Sequence, residues 1–191
     1  MSSLKDKLTG EPIHSRQLSL KTYPVGEGEI IAEGSLKDER FQVIYDLSGD
    51  RRDEGVIHNL VIRLLVGGTP LRILDAEAEM PHVPWEQCRE TRESLKKVIG
   101  LEIRSGFGER VHKVIGGVRG CVHLTHLLIV LVQEALHGYW TQKMRKREPS
   151  PRSLEDIEGL DYLINSCRLW RENGPLVKKI QASIKQRKSG D

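Results

Sequence analysis

Side chains capable of joint chemistry gather between Cys121 and His137. At about 100° per residue on a helix, His123, His126, Glu134 and His137 fall within an arc about 80° wide. Leu124, Leu127, Leu128, Leu131, Ala135 and Leu136 surround that arc, and no charged residue occurs over 120–133. An imidazole among apolar neighbours is desolvated and stays neutral, the form that binds a metal or accepts a proton. His123 and His126 are three residues apart and can converge. Glu134 and His137 lie two to three turns further, about 12 Å or more from His126, so one ion cannot take all four. The third partner expected for His123 and His126 is His58, on a strand. The competing reading is the wet edge of a core helix, with histidines in ordinary hydrogen bonds.

Cys121 follows Gly116-Gly117-Val118-Arg119-Gly120 at the expected helix start, where free amides and the helix dipole favour a thiolate. It reads either as a nucleophile or ligand, or as a small residue that fits a tight turn. Gly117 and Gly120, with Arg119 and Arg104, suit an anionic ligand. The turn matches neither a Walker loop nor a dinucleotide fingerprint. Asp75, Glu77 and Glu79 alternate, as on a solvated strand edge. The basic runs at 143–147 and 185–188 lack interleaved aromatics, which argues against nucleic acid.

These groups must be positioned by strands in the first half and helices in the second. Residues 1–28 read as an extended lead-in, followed by two short strands at 30–32 and 41–45 joined through a polar turn at 37–40. Residues 47–55 read as a loop. A β-hairpin follows, with residues 56–66 and 71–80 as strands and Gly67-Gly68-Thr69-Pro70 as the turn. The spacing predicts a helix over 85–99 ending at Gly100, a long central helix over about 121–145, a break at Pro149-Ser150-Pro151, and a helix over 153–170. Asn173-Gly174-Pro175 ends that last helix and a basic tail follows. The fold class is therefore α+β: an antiparallel sheet in the N-terminal half with helices packed on one face. The organisation is a lead-in over 1–11, one domain over 12–178 and a basic tail over 179–191.

The chain has 191 residues, 38% hydrophobic and 30% charged, with a formal net charge of +3. That length supports one well-buried core, the composition excludes a membrane protein and wholesale disorder, and the charge is too small to argue for nucleic acid. The start of the chain holds no apolar run and the longest uncharged stretch falls short of a bilayer span, so a cytoplasmic setting is expected. The three cysteines, Cys88, Cys121 and Cys167, fit no zinc-finger or disulfide framework.

Several segments together resemble a bacterial family of uncharacterised proteins, domain of unknown function 2889. They are Ile57-His58-Asn59-Leu60-Val61-Ile62-Arg63-Leu64, Ile73-Leu74-Asp75-Ala76-Glu77-Ala78, Pro84 with Cys88, residues 95–100, the run from Gly116-Gly117 to Cys121-Val122-His123-Leu124-Thr125-His126-Leu127-Leu128, and Asn165-Ser166-Cys167 with Asn173-Gly174-Pro175-Leu176-Val177. The resemblance covers about residues 12–178 and implies one domain. It also implies that His58, Cys88, Cys121, His123 and Cys167 occupy motif positions. At the position of His126 the family more commonly carries an acidic residue, an exchange that suits a ligand or acid–base role. The order of hairpin, glycine turn, cysteine and apolar helix is loosely similar to iron–sulfur scaffolds of the NifU and SufE type, a likeness of fold only.

The expectation is an enzyme of lyase, isomerase or hydrolase type acting on a small anionic organic molecule. His58, His123 and His126 form its acid–base or metal centre, with Cys121, Arg119, Gly117, Gly120 and Arg104 beside it. A divalent metal is the cofactor such a set suits. The alternative is a non-catalytic metal or iron–sulfur carrier using Cys121, Cys88 and Cys167 with a histidine. The expected partner is a small-molecule ligand, with neither nucleic acid nor membrane, and a homo-oligomer is compatible.

Overall fold

Alternation of apolar and polar side chains builds the sheet. The computed structural model describes residues 3–145 and 151–188. Its main sheet has four antiparallel strands, β1 (His14–Gly26), β2 (Glu29–Arg40), β5 (Gly55–Gly67) and β6 (Arg72–His82), in the spatial order β1-β2-β5-β6. Two very short strands, β3 (Ile44–Tyr45) and β4 (Arg51–Arg52), pair with each other between β2 and β5. On β2, Ile30, Ala32, Leu36 and Asp38 face inward; on β5, Leu60, Ile62, Leu64 and Val66 do so. The outer face is polar: Arg63 on β5 pairs with Glu33, Glu77 and Glu79. This satisfies the alternating carboxylates of β6 as a solvated face, as their spacing predicts.

Helices cover the inner face. After β6, Glu86–Val98 winds as 3-10 turns and ends at Gly100 with φ +88°. Then come α1 (Phe107–Ile115), α2 (Val122–Lys143), the single turn α3 (Leu160–Leu163) and α4 (Pro175–Lys188). Leu124, Leu127, Leu128, Leu131, Val132, Ala135 and Leu136 of α2 are buried against the sheet. Small residues set the approach: a Cβ on Gly34 of β2 would lie 3.2 Å from both Leu127 and Leu131, and one on Gly138 of α2 would lie 2.2 Å from Thr22 Oγ1. These contacts align α2 along the sheet, with its N-terminus over the Asp38 end and Gly138 beside β1.

The antiparallel sheet, the hairpin turn and the long helix match the α+β expectation. The lead-in does not: residues 14–26 form an edge strand whose side chains are mostly exposed, so no apolar alternation marks it. The strand expected at 30–32 runs on through the expected turn at 37–40 as β2, because Asp38 continues the inward series, and of the strand expected at 41–45 only Ile44–Tyr45 form one, the separate β3. The helix expected over 153–170 is reduced to α3. Gly159 at φ +74° and Asn165 at φ +64° interrupt it, and Glu158 is drawn to Thr69, Tyr139 and Lys143. Most of the basic tail expected over 179–191 is helical, within α4. Of the break expected at Pro149-Ser150-Pro151, the first two residues lie outside the described ones, as do Lys146 and Arg147. Among the described residues, no helix is long and apolar enough to cross a membrane.

Candidate metal centre

Strand register brings three charged or titratable residues into one row. Arg16 on β1 stands opposite Asp38 on β2, and Asp38 stands opposite His58 on β5. The register between β2 and β5 shifts immediately after Asp38, and such a bulge re-aims nearby side chains. Asp38 is only 1% exposed. A carboxylate removed from water needs partners for its lone pairs, and Arg16 supplies two: Nε donates to Oδ1 at 2.6 Å and Nη2 to Oδ2 at 2.7 Å. His58 Nδ1 lies 3.0 Å from Oδ2.

The fourth member comes from α2. His123, one residue inside the helix, places Nε2 3.8 Å from Asp38 Oδ2. Its ring meets that of His58 with centroids 3.9 Å apart and planes tilted by 38°. Cys121 caps the helix and sets its Sγ 3.8 Å from His123 Nδ1, on the ring nitrogen opposite the one facing Asp38. Gly120 is required there by packing, since a Cβ would lie 2.6 Å from the Ile115 carbonyl oxygen and 2.8 Å from Ser94 Oγ. Thr125 donates its amide and its hydroxyl to the Cys121 carbonyl, both at 2.9 Å, and holds the first turn.

Electrostatics follow from burial and from the single carboxylate. Hydrogen bonds from Arg16 hold the Asp38 pKa below the usual carboxylate range despite burial. Desolvation pushes His123 down to about 4, reinforced by the charges of His58, Arg16 and His126 and opposed by Asp38. Desolvation also lowers His58, with Asp38 pulling the other way. Both imidazoles are therefore neutral at pH 7, with lone pairs available. Ligand atoms of Asp38, His58 and His123 all lie within 4.8 Å of one another. Donors at about 2.0–2.2 Å from a metal stand about 3.0–3.5 Å apart. The Asp38–His58 separation meets that spacing, and His123 Nε2, 3.8 Å from Asp38 Oδ2, stands just outside it. The group can hold a metal ion.

The structure brings only part of the expected set together. His58, His123 and Cys121 come together, whereas His126 is exposed on α2, and the residue that joins His58 and His123 in a group able to hold a metal is Asp38. Arg104 is remote. It pairs with Glu102 on the wall of an open cavity of about 970 Å3. Glu102 bridges to Arg72, the partner of Gly67 at the far end of β5 from His58, about 30 Å away at 3.3 Å per strand residue. Arg119 is exposed and donates to the His112 carbonyl at 2.9 Å; Gly117 adopts φ +59° in the same turn. The three cysteines do not gather: Cys88 packs against the core, Cys167 is exposed, and neither joins Cys121 in a ligand group among the described residues. Glu134 and His137 sit further along α2, with His137 exposed.

Asp38 and Arg16 are the residues that sequence reasoning missed. The signal for Asp38 is the period-two series Ile30, Ala32, Gly34, Leu36, whose next inward position is a carboxylate. Arg16 carries no comparable signal, because its strand is an edge.

No curated protein and no solved structure matches the chain, and the likeness to NifU and SufE scaffolds is not shown. The family comparison does return a match, covering residues 14–137, from the edge strand through most of α2 and so including all four residues of the site. The chain belongs to the family described as Protein of unknown function (DUF2889).

Proposed function

We propose that the protein is a metal-dependent enzyme of lyase, isomerase or hydrolase type. Its centre is Asp38, His58 and His123, and its substrate is a small anionic organic molecule. The observation that carries this reading is the convergence of two neutral imidazoles on one almost fully buried carboxylate. Two nitrogens and one oxygen suit zinc or another divalent first-row ion and leave coordination positions for water and substrate. Such an ion polarises a carbonyl or lowers the pKa of bound water. The anionic substrate follows from the surroundings. Arg16 is 38% exposed at its side chain, and its guanidinium acts on both ligand histidines as a positive neighbour. A fixed positive group beside the centre attracts anions.

The bidentate Arg16–Asp38 pair favours a second reading of the same residues. In it Asp38, held by Arg16, orients His58 as a general base and no metal takes part. Elemental analysis of protein purified without chelator and without oxygen separates the two. Near-stoichiometric zinc, iron or manganese is expected, and it is lost in His123→Ala while the thermal midpoint of the variant stays close to that of metal-stripped wild type. Protein that carries no metal and takes up neither zinc nor cobalt overturns the metal reading and leaves acid–base chemistry.

A further inference from the structure

We infer that Cys121 is a positioning residue for the metal centre: its sulfur fixes the tautomer of His123 by accepting the Nδ1 proton, which leaves the Nε2 lone pair for the ion. The inference rests on the metal reading above and adds a fourth participant to it. Histidine ligands donate their second ring nitrogen to an acceptor, and that acceptor sets both orientation and tautomer. For His123 the two nitrogens are sharply distinguished. Nε2 faces Asp38 Oδ2 and Nδ1 faces Cys121 Sγ, each at 3.8 Å. A metal on Nε2 requires the proton on Nδ1, and the group waiting there is the sulfur.

The placement of Cys121 also excludes two other roles. Its sulfur meets the ring nitrogen opposite the one that faces Asp38, and it is not among the residues whose ligand atoms converge, so it stands beside the group rather than in it. Nor is its position an accident of a loose loop. Its carbonyl takes both donors of Thr125, and the preceding Gly120 is wedged between Ser94 and the Ile115 carbonyl. The turn that brings the thiol to the ring is therefore rigid, and Cys121 is half-buried rather than free to swing away.

The test uses the full chain with Co(II) and Zn(II) as probes. Cys121→Ala should weaken metal affinity about 10–100-fold, Cys121→Ser should recover part of the loss, and Cys88→Ser and Cys167→Ser should change nothing. Nitrogen-15 NMR of the histidine rings in metal-free protein supplies a readout that a purely structural role would not move. His123 should carry its proton on Nδ1 in the wild type and shift toward the Nε2-protonated form in Cys121→Ala. Thermal midpoints report whether the variants fold. Unchanged affinity with an unchanged tautomer overturns the inference, as does a sulfur-to-cobalt charge-transfer band, which would make Cys121 a ligand. Failure of the wild type to bind either ion sinks the metal reading instead, and the tautomer measurement still decides the role of Cys121.

Discussion

Replacing Asp38 by asparagine tests the centre of the reasoning, because one carboxylate serves the arginine and both histidines. Asparagine keeps the shape and removes the charge. Its carbonyl can still accept one Arg16 donor, but its amide turns a donor toward Arg16 or His58, so one of the two bonds at 2.6 and 2.7 Å is lost. A hydrogen bond between charged partners contributes about 1.5–3 kcal/mol. Breaking a fully buried ion pair costs about 3–5 kcal/mol. Arg16 is partly exposed and can turn to water, so the lower range applies: about 2 kcal/mol. For a chain of this size that lowers the thermal midpoint by about 4–8 °C. Urea unfolding at pH 7, with helical content monitored, measures the loss. The same change removes the charge that holds the His58 pKa up against desolvation, so His58 should titrate at still lower pH, as ring NMR reports. A loss under about 0.5 kcal/mol with an unmoved His58 titration would refute the buried carboxylate as the organiser of the site.

Acid should destabilise the metal-free protein before its carboxylates titrate. His58 and His123 have folded pKa values below their unfolded ones, so the unfolded chain binds protons first and stability falls as pH drops from about 6.5. For His123, held near 4, the full linkage is about 3 kcal/mol, and partial exposure reduces it to about 1–2 kcal/mol. Urea midpoints between pH 7.5 and 4.5 should show this fall, and His123→Gln should flatten it; a pH-independent midpoint contradicts the buried neutral imidazole. Gly138→Ala should cost about 1–3 kcal/mol through overpacking against Thr22, and wild-type stability in that variant would mean that helix and strand are not so close. Zinc at about a hundred times its Kd should raise stability by about 2.7 kcal/mol, reversibly with chelator, and the rise should vanish in His123→Ala; equal stabilisation of that variant would place the ion elsewhere. Leu127→Ala, fully buried between α2 and Gly34, should lose about 2–5 kcal/mol in urea, and a smaller loss would argue against that contact.

Local patterns revealed the parts of the molecule whose own residues carry them. The hairpin turn at Gly67-Gly68 and the apolar run of α2 each contain their own signal, and the structure has both. His58 and His123 were legible because a polar ring in an apolar run stands out. Asp38 was not, since Lys37-Asp38-Glu39-Arg40 looks like any charged turn until alternation from Ile30 is followed to its end. Arg16 lies on a strand whose apolar face is too sparse to be read, and only its pairing with β2 gives it a role. A helix with few charges does not declare which side meets the sheet; Leu127 and Leu128 take the sheet, and His126 is left exposed, outside the group of Asp38, His58 and His123. The helix expected over 153–170 is interrupted by positive φ at Gly159 and Asn165, and Glu158 is tied across the fold to Thr69, Tyr139 and Lys143.

The cross-strand row has a consequence for the order of assembly. Arg16, Asp38 and His58 lie on neighbouring strands, so they meet as soon as β1, β2 and β5 pair, whereas His123 arrives only when a helix from the second half of the chain docks. Contacts so distant in sequence close late, after the entropy of the intervening loop has been lost. A sheet formed without α2 holds the arginine, carboxylate and first imidazole but lacks the second. The chain therefore has no complete site until its two halves have joined, and occupancy of the centre would report that the protein has finished folding.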